Sequence, residues 1–134
     1  MTQALLTERA TIFIVDNDAA VRDALTALFV GLDVCVKTYP SAEAYLSESP
    51  EQANGCLIID LHLPGMNGLE LMNRLRAMAI AIPTIVLASD SDVPLAVRAM
   101  RAGAIDFIDK PFVAHTLLSR VRQALKLSRT DTSY

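Results

Sequence analysis

Three polar residues follow apolar runs of strand length, and their chemistries complement one another. Ile12–Val15 leads into Asp16, Cys56–Ile59 leads into Asp60, and Ile105–Ile108 is followed closely by Lys110. An unbroken aliphatic run reads as a strand covered on both faces, the habit of parallel sheets. Parallel strands put their carboxyl ends on one edge, so two carboxylates and an ammonium are expected to share a small crevice there. Close carboxylates repel and raise each other's pKa unless a cation compensates, and Mg2+ suits such oxygens. A divalent ion and Lys110 together can hold a phosphoryl group in front of Asp60. A carboxylate can attack phosphorus to form an aspartyl phosphate, with the metal neutralising charge on the transferring group. Each polar residue alone also fits a helix cap. Their joint placement, with the turn-rich loop Leu61–Gly68 behind Asp60, favours chemistry.

The elements that would position these residues alternate. Asp16, Asn17 or Asp18 can cap a first helix, in which Val21, Leu25, Leu28 and Phe29 form one apolar face, closed by Gly31. Val34–Val36 reads as a short second strand stopped by Pro40, and Ser41 can cap a helix with Tyr45 and Leu46 inside. A loop over Pro50–Gly55 precedes the third strand, and the third helix carries Leu71, Met72 and Leu75 as its inner stripe. The fourth strand is Thr84–Leu87. Asp92 opens the fourth helix with Pro94 in its first turn, Val93, Val97 and Met100 are expected inside, and Gly103 ends it. The last helix turns Leu117, Leu118, Val121 and Leu125 inward. Five β-then-α units imply an α/β, doubly wound, parallel sheet with helices on both faces. Ligands of such sheets sit outside the carboxyl ends of the strands. The domain is expected over 11–126, between a frayed leader at 1–10 and a polar, disordered tail or truncated linker at 127–134.

Composition narrows the function classes. The chain has 134 residues, enough for one domain with its own core, and it is 52% apolar and 20% charged. A net charge of -3, with Lys and Arg dispersed, argues against a nucleic-acid surface on this chain. Cys35 and Cys56 lie in apolar runs without Cys or His at metal-ligand spacing, so both are expected to be buried thiols in a reducing compartment. No secretory leader pattern is present, and no apolar run approaches the ~20 residues of a membrane span. The expected location is the cytoplasm.

Three segments carry a resemblance: Ile14-Val15-Asp16-Asn17-Asp18, Ile58-Ile59-Asp60-Leu61-His62-Leu63-Pro64-Gly65-Met66-Asn67-Gly68 and Ala102-Gly103-Ala104-Ile105-Asp106-Phe107-Ile108-Asp109-Lys110-Pro111-Phe112. With them, the chain over about residues 10–126 resembles the CheY-like receiver domains of bacterial two-component response regulators. Asp92-Val93-Pro94-Leu95-Ala96-Val97-Arg98-Ala99-Met100 resembles the FixJ-type branch, whose members often carry a DNA-binding domain after the receiver. The resemblance implies a flavodoxin-like (βα)5 fold with strand order 2-1-3-4-5. It implies that Asp60 accepts a phosphoryl group from a sensor histidine kinase or phosphotransfer protein, with Lys110 pairing with the phosphoryl oxygens. Asp16, the residue at position 17, Asp60 and the backbone carbonyl of His62 would hold Mg2+. Phe107 would take the place of the aromatic whose rotation reports phosphorylation. A homodimer through the helix 4–strand 5–helix 5 face is the implied partner, and the Lys110-Pro111 bond is often cis in the family. Such a protein is not an enzyme in the ordinary sense, although it catalyses its own phosphoryl uptake and loss.

Two positions depart from the family pattern. Where a second acidic residue is usual, the chain has Asn17, whose amide oxygen brings no charge to the metal. Where a Ser or Thr follows strand four, the chain has Ala88; Ser89 is next, but neighbouring side chains on an extended backbone point oppositely. The alternative is therefore a phosphate-independent receiver scaffold that serves as a dimerisation or docking module. A phosphatase lacks support, because no additional base, Cys or His cluster is present. The side chains of His62 and His115 read as surface groups, Met66, Met72 and Met100 as core packing, and Arg98 and Arg101 as solvated charges or part of a partner face.

Overall fold

The structure, a computed structural model, describes residues 9–48 and 54–132. Residues 1–8 of the leader, most of the loop before Gly55 and residues 133–134 lie outside the described residues. The strands are β1 (Thr11–Val15), β2 (Cys35–Tyr39), β3 (Gly55–Asp60), β4 (Thr84–Ala88) and β5 (Asp106–Asp109). The helices are α1 (Ala19–Leu28), α2 (Ala42–Leu46), α3 (Gly68–Ala77), α4 (Val93–Arg101) and α5 (Ala114–Thr132). All strand pairs are parallel, in the order β2-β1-β3-β4-β5. The expected fold class and strand order hold.

Alternation along the strands divides the core into two layers. Ile12, Ile14, Cys56, Ile58, Ile85 and Leu87 pack against Leu25 of α1, Phe29 just after it, and Leu117, Val121 and Ala124 from α5. Val15, Leu57, Ile59, Val86 and Ala88 pack against Tyr45, Leu71, Leu75, Ala96 and Ala99 from α2, α3 and α4. The central strand, β3, is buried at every residue. That explains why it reads as an apolar run rather than an alternating one.

The starts of α1, α2 and α3 are fixed by side chains. Asp18 accepts from Ala20 N at 2.9 Å, and Ser41 accepts from Ala44 N at 3.0 Å. Asn67 and Glu70 form a reciprocal capping box at α3, with both bonds at 2.8 Å. Each such cap is worth about 1 kcal/mol. Gly68 begins α3 because the loop after Asp60 returns close to the strand: a Cβ there would lie 2.8 Å from the Asp60 carbonyl oxygen. The Lys110–Pro111 peptide is cis.

Four expectations need correction. In α4, Val93, Val97 and Met100 are not inside but 55%, 46% and 40% exposed, and Ala96 and Ala99 make the buried stripe. Small alanines let this helix approach β4 and β5 closely, while the larger residues face outward. Cys35 is exposed rather than buried, because it begins β2, which pairs only with β1 at the sheet edge. Arg9 and Ala10 are not frayed: Arg9 pairs with Asp33 at 3.2 Å and donates to Val34 O, while Ala10 O accepts from Cys35 N. The last helix does not stop at 126 but runs through Thr132. Its Ser128 is 4% exposed, and its Oγ accepts from Gly55 N at 2.9 Å.

These contacts set two stability predictions. Ser128→Ala leaves the Gly55 N–H buried and unpaired, and should lower the free energy of urea unfolding by ~1–3 kcal/mol. Tyr45 is fully buried and its hydroxyl has no hydrogen-bond partner among the described residues. Tyr45→Phe keeps the ring packing against Phe13 and Tyr39 and should raise the urea midpoint, at unchanged slope, by the equivalent of ~1 kcal/mol.

Candidate functional site

The carboxyl ends of β1 and β3 and the residue after β5 converge. Lys110 Nζ lies 3.1 Å from Asp16 Oδ2 and 3.2 Å from Asp60 Oδ2, so one ammonium bridges two carboxylates. Asp16 is fully buried and Asp60 is 4% exposed. Each carboxylate spends its other oxygen on the backbone two residues on: Asp18 N donates to Asp16 Oδ1 at 2.9 Å, and His62 N donates to Asp60 Oδ1 at 3.0 Å. Lys110 N donates to Ala88 O, which fixes the ammonium's stem against the end of β4. Arg22 Nη1 donates to the Asp16 carbonyl at 2.6 Å, a support not visible in sequence because it depends on how α1 folds back over β1.

The cluster carries one more negative than positive charge. Burial raises the Asp16 pKa above the usual carboxylate value and the Asp60 charge adds to this, against the opposing effects of the Asp18 N–H and of Lys110. Burial alone would lower the Lys110 pKa. The bonds and charges of Asp16 and Asp60 outweigh it and hold the pKa above its usual value. Among the described residues, no group of three His, Cys, Asp or Glu side chains gathers around a metal position, so the carboxylate set is these two. That donor set fits Mg2+, which takes one or two carboxylates and keeps several waters.

The other expected site residues are placed differently. Asn17, beside Asp16, is exposed. Ala88 is buried at the end of β4 and offers no hydroxyl. The Ser89 hydroxyl donates to Asp92 Oδ2 at 2.9 Å and lies 3.2 Å from Ser91 Oγ. Phe107, on β5, is 41% exposed. The His62 side chain is exposed, as expected, but it is not merely solvated: Nδ1 lies 3.3 Å from Asp92 Oδ1. Sequence reasoning missed that pair, because only tertiary folding brings the two loops together.

The sign of the Asp16 shift sets a stability prediction. A carboxyl whose folded pKa is raised costs stability when ionised, and the cost disappears as pH falls through that raised value. Asp16→Asn should therefore stabilise the fold at pH 7, with the advantage shrinking on acidification in parallel urea titrations. The Lys110 contribution has the other dependence: it is complete below its unfolded pKa and is lost as pH rises through the folded one.

The family model described as "Response regulator receiver domain" matches residues 12–122. The response regulator protein TmoT of Ectopseudomonas mendocina is 42% identical over 121 residues, covering 90% of this chain and 55% of TmoT. The transcriptional regulatory protein FixJ of Rhizobium meliloti is 42% identical over 114 residues, covering 85% of this chain and 56% of FixJ. The chain thus spans a little over half the length of these relatives. Among solved structures, the one titled FixJ-N superposes with a TM-score of 0.80 at 41% identity, covering 87% of this chain and 94% of that one. The response regulator StyR superposes at 0.85 with 37% identity, covering 92% of this chain and 62% of that one. Fold, matched motifs and relatives agree that the chain belongs to the response regulator receiver family, which works in two-component systems through phosphorylation-based signalling.

Proposed function

We propose that Asp60 is the phosphoacceptor of this receiver. The observation that carries this reading is the single ammonium of Lys110, placed against both Asp60 and Asp16 where a transferring phosphoryl group would need positive charge. Receiver domains generally bind Mg2+ at their acidic pocket. Here Asp16, Asp60 and the His62 backbone carbonyl would hold it, with the neutral amide of Asn17 as a weaker donor and a weaker site as the result. The bound ion would supply charge neutralisation on the phosphoryl oxygens.

In the transfer, an Asp60 carboxylate oxygen attacks phosphorus. The bond from phosphorus to a phosphohistidine nitrogen on the partner kinase or phosphotransfer protein breaks, and the imidazole leaves with that electron pair. Lys110 meets the charge on the phosphoryl oxygens throughout. Loss of the group follows by attack of water on the same phosphorus: the bond from phosphorus to the Asp60 oxygen breaks, Asp60 leaves as the carboxylate, and inorganic phosphate and the water's proton pass to solvent. Receiver domains are generally not classical enzymes, and this self-catalysis is the full extent of the chemistry proposed.

The face formed by α4, β5 and α5 is the proposed output surface. Val93, Val97, Met100 and Phe107 are exposed there, and Arg120 on α5 pairs with Asp106 on β5. A second copy of the chain is the proposed partner for that face. Among the described residues, no helix is long and apolar enough to cross a membrane. The cytoplasm, where kinase partners present phosphohistidine, is the proposed location. One observation favours a second reading, a phosphate-independent docking module: Ala88 is buried without a hydroxyl while Ser89 is already bonded to Asp92.

Incubation with Mg2+ and acetyl phosphate, followed by intact mass, separates the two readings. The expected result is slow gain of one phosphoryl group, abolished in Asp60→Asn. A folded protein that gains none at saturating Mg2+ supports the docking module instead. Asn17→Asp should tighten Mg2+ binding by about tenfold in a calorimetric titration, because it restores a carboxylate ligand.

A further inference from the structure

A continuous run of contacts leaves Asp60 by way of His62. The His62 backbone N–H donates to Asp60 Oδ1 at 3.0 Å, and its ring Nδ1 lies 3.3 Å from Asp92 Oδ1. The other oxygen of Asp92 accepts twice from Ser89, from N at 3.1 Å and from Oγ at 2.9 Å. Asp92 is the residue immediately before α4 and is 6% exposed, while the His62 side chain is 82% exposed. An outward-lying imidazole is therefore folded onto a nearly buried carboxylate that also holds the N–H and hydroxyl of Ser89, the residue after Ala88. The Asp92 side chain makes no capping bond to α4 itself, so its acceptor capacity goes to Ser89 and His62.

From this geometry we propose that His62 is a positioning residue that ties the loop after Asp60 to the N-terminus of α4 and carries the acceptor's state there, in place of the hydroxyl that Ala88 lacks. The signalling half of the proposal rests on the reading of Asp60 as phosphoacceptor. Phosphorylation turns a carboxylate oxygen into an acyl phosphate linkage, so the charge that the His62 N–H meets falls and a phosphoryl group appears beside it. The loop carrying His62 then shifts, Asp92 Oδ1 loses its imidazole, and the Ser89 hydroxyl is released from its turn. The response begins at the start of α4, which leads directly into the exposed Val93–Val97–Met100 stripe.

The test is residue-resolved amide hydrogen exchange on the full chain, for wild type, His62→Ala and His62→Asn, before and after treatment with Mg2+ and acetyl phosphate. Phosphoryl adducts are counted by intact mass in the same samples. Before treatment, His62→Ala should exchange up to about fivefold faster at the Ser89 and Asp92 amides, the scale of one exposed charged contact. The Met78 amide, bonded within its own turn to Arg74 O and Leu75 O, should not change. His62→Asn, which can place its amide nitrogen near the Nδ1 position, should return the Ser89 rate towards wild type. After treatment, the wild-type Ser89–Val93 segment should speed up, and His62→Ala, compared at equal adduct by intact mass, should show little further change. An unchanged Ser89 rate in untreated His62→Ala overturns the tie, whatever happens at Asp60. An undiminished response in phosphorylated His62→Ala overturns the signalling role. No adduct in any variant overturns the phosphoacceptor reading and the signalling role with it, while the untreated comparison still decides the tie.

Discussion

The ammonium of Lys110 reaches two carboxylates that come from different strands, Asp16 from β1 and Asp60 from β3, at 3.1 and 3.2 Å. Much of the surrounding structure serves this contact. Two carboxylates buried side by side repel strongly, and one cation cannot neutralise both. The backbone absorbs part of the cost by aiming the Asp18 and His62 N–H groups at the remaining oxygens. The residual negative charge is a standing attraction for a cation and a standing strain on the fold. A site of this kind gives up stability to remain reactive.

The sheet supplies the rigidity that such a cluster requires. Because β3 is buried at every residue and lies between β1 and β4, its carboxyl end cannot move without disturbing both core layers. The loop after Asp60 is held close by Gly68 N bonding to Leu61 O and by the Met66 N–H on Glu43 Oε2. The opposite end of the same strand is pinned by Ser128 from the last helix. The loops that face the site are tied to each other where His62 meets Asp92, immediately before α4 begins.

The strands are legible in the sequence because a short, unbroken aliphatic run bounded by turn residues suits a strand covered on both faces better than an amphipathic helix. The observed spans differ from the expected ones mainly at their ends, most of all at β2, which runs on to Tyr39. Asp16, Asp60 and Lys110 can be gathered from sequence because parallel strands bring their ends to one edge. The facing of α4 is not legible: Val93, Val97 and Met100 follow helical spacing as well as Ala96 and Ala99 do, and a larger apolar side chain looks like the better core residue. Packing distance to the sheet decides for the alanines. The role of Ser128 is hidden because a polar residue in a polar segment reads as solvent-facing until its partner, a strand-start N–H, is known. The His62–Asp92 contact joins two loops with no local pattern linking them, so neither periodicity nor spacing could report it.

If one ammonium holds two mutually repelling carboxylates in place, the effects of removing it and of removing one carboxylate must depend on each other. The direct measurement is a double-mutant cycle by urea denaturation at pH 7 with wild type, Lys110→Met, Asp16→Asn and the combined variant. Lys110→Met should cost ~3 kcal/mol, because it leaves two unpaired buried charges. Asp16→Asn should stabilise the Lys110→Met protein by at least ~1 kcal/mol more than it stabilises wild type. Additive effects, with Asp16→Asn worth the same in both backgrounds, would contradict the idea that Lys110 holds the pair together.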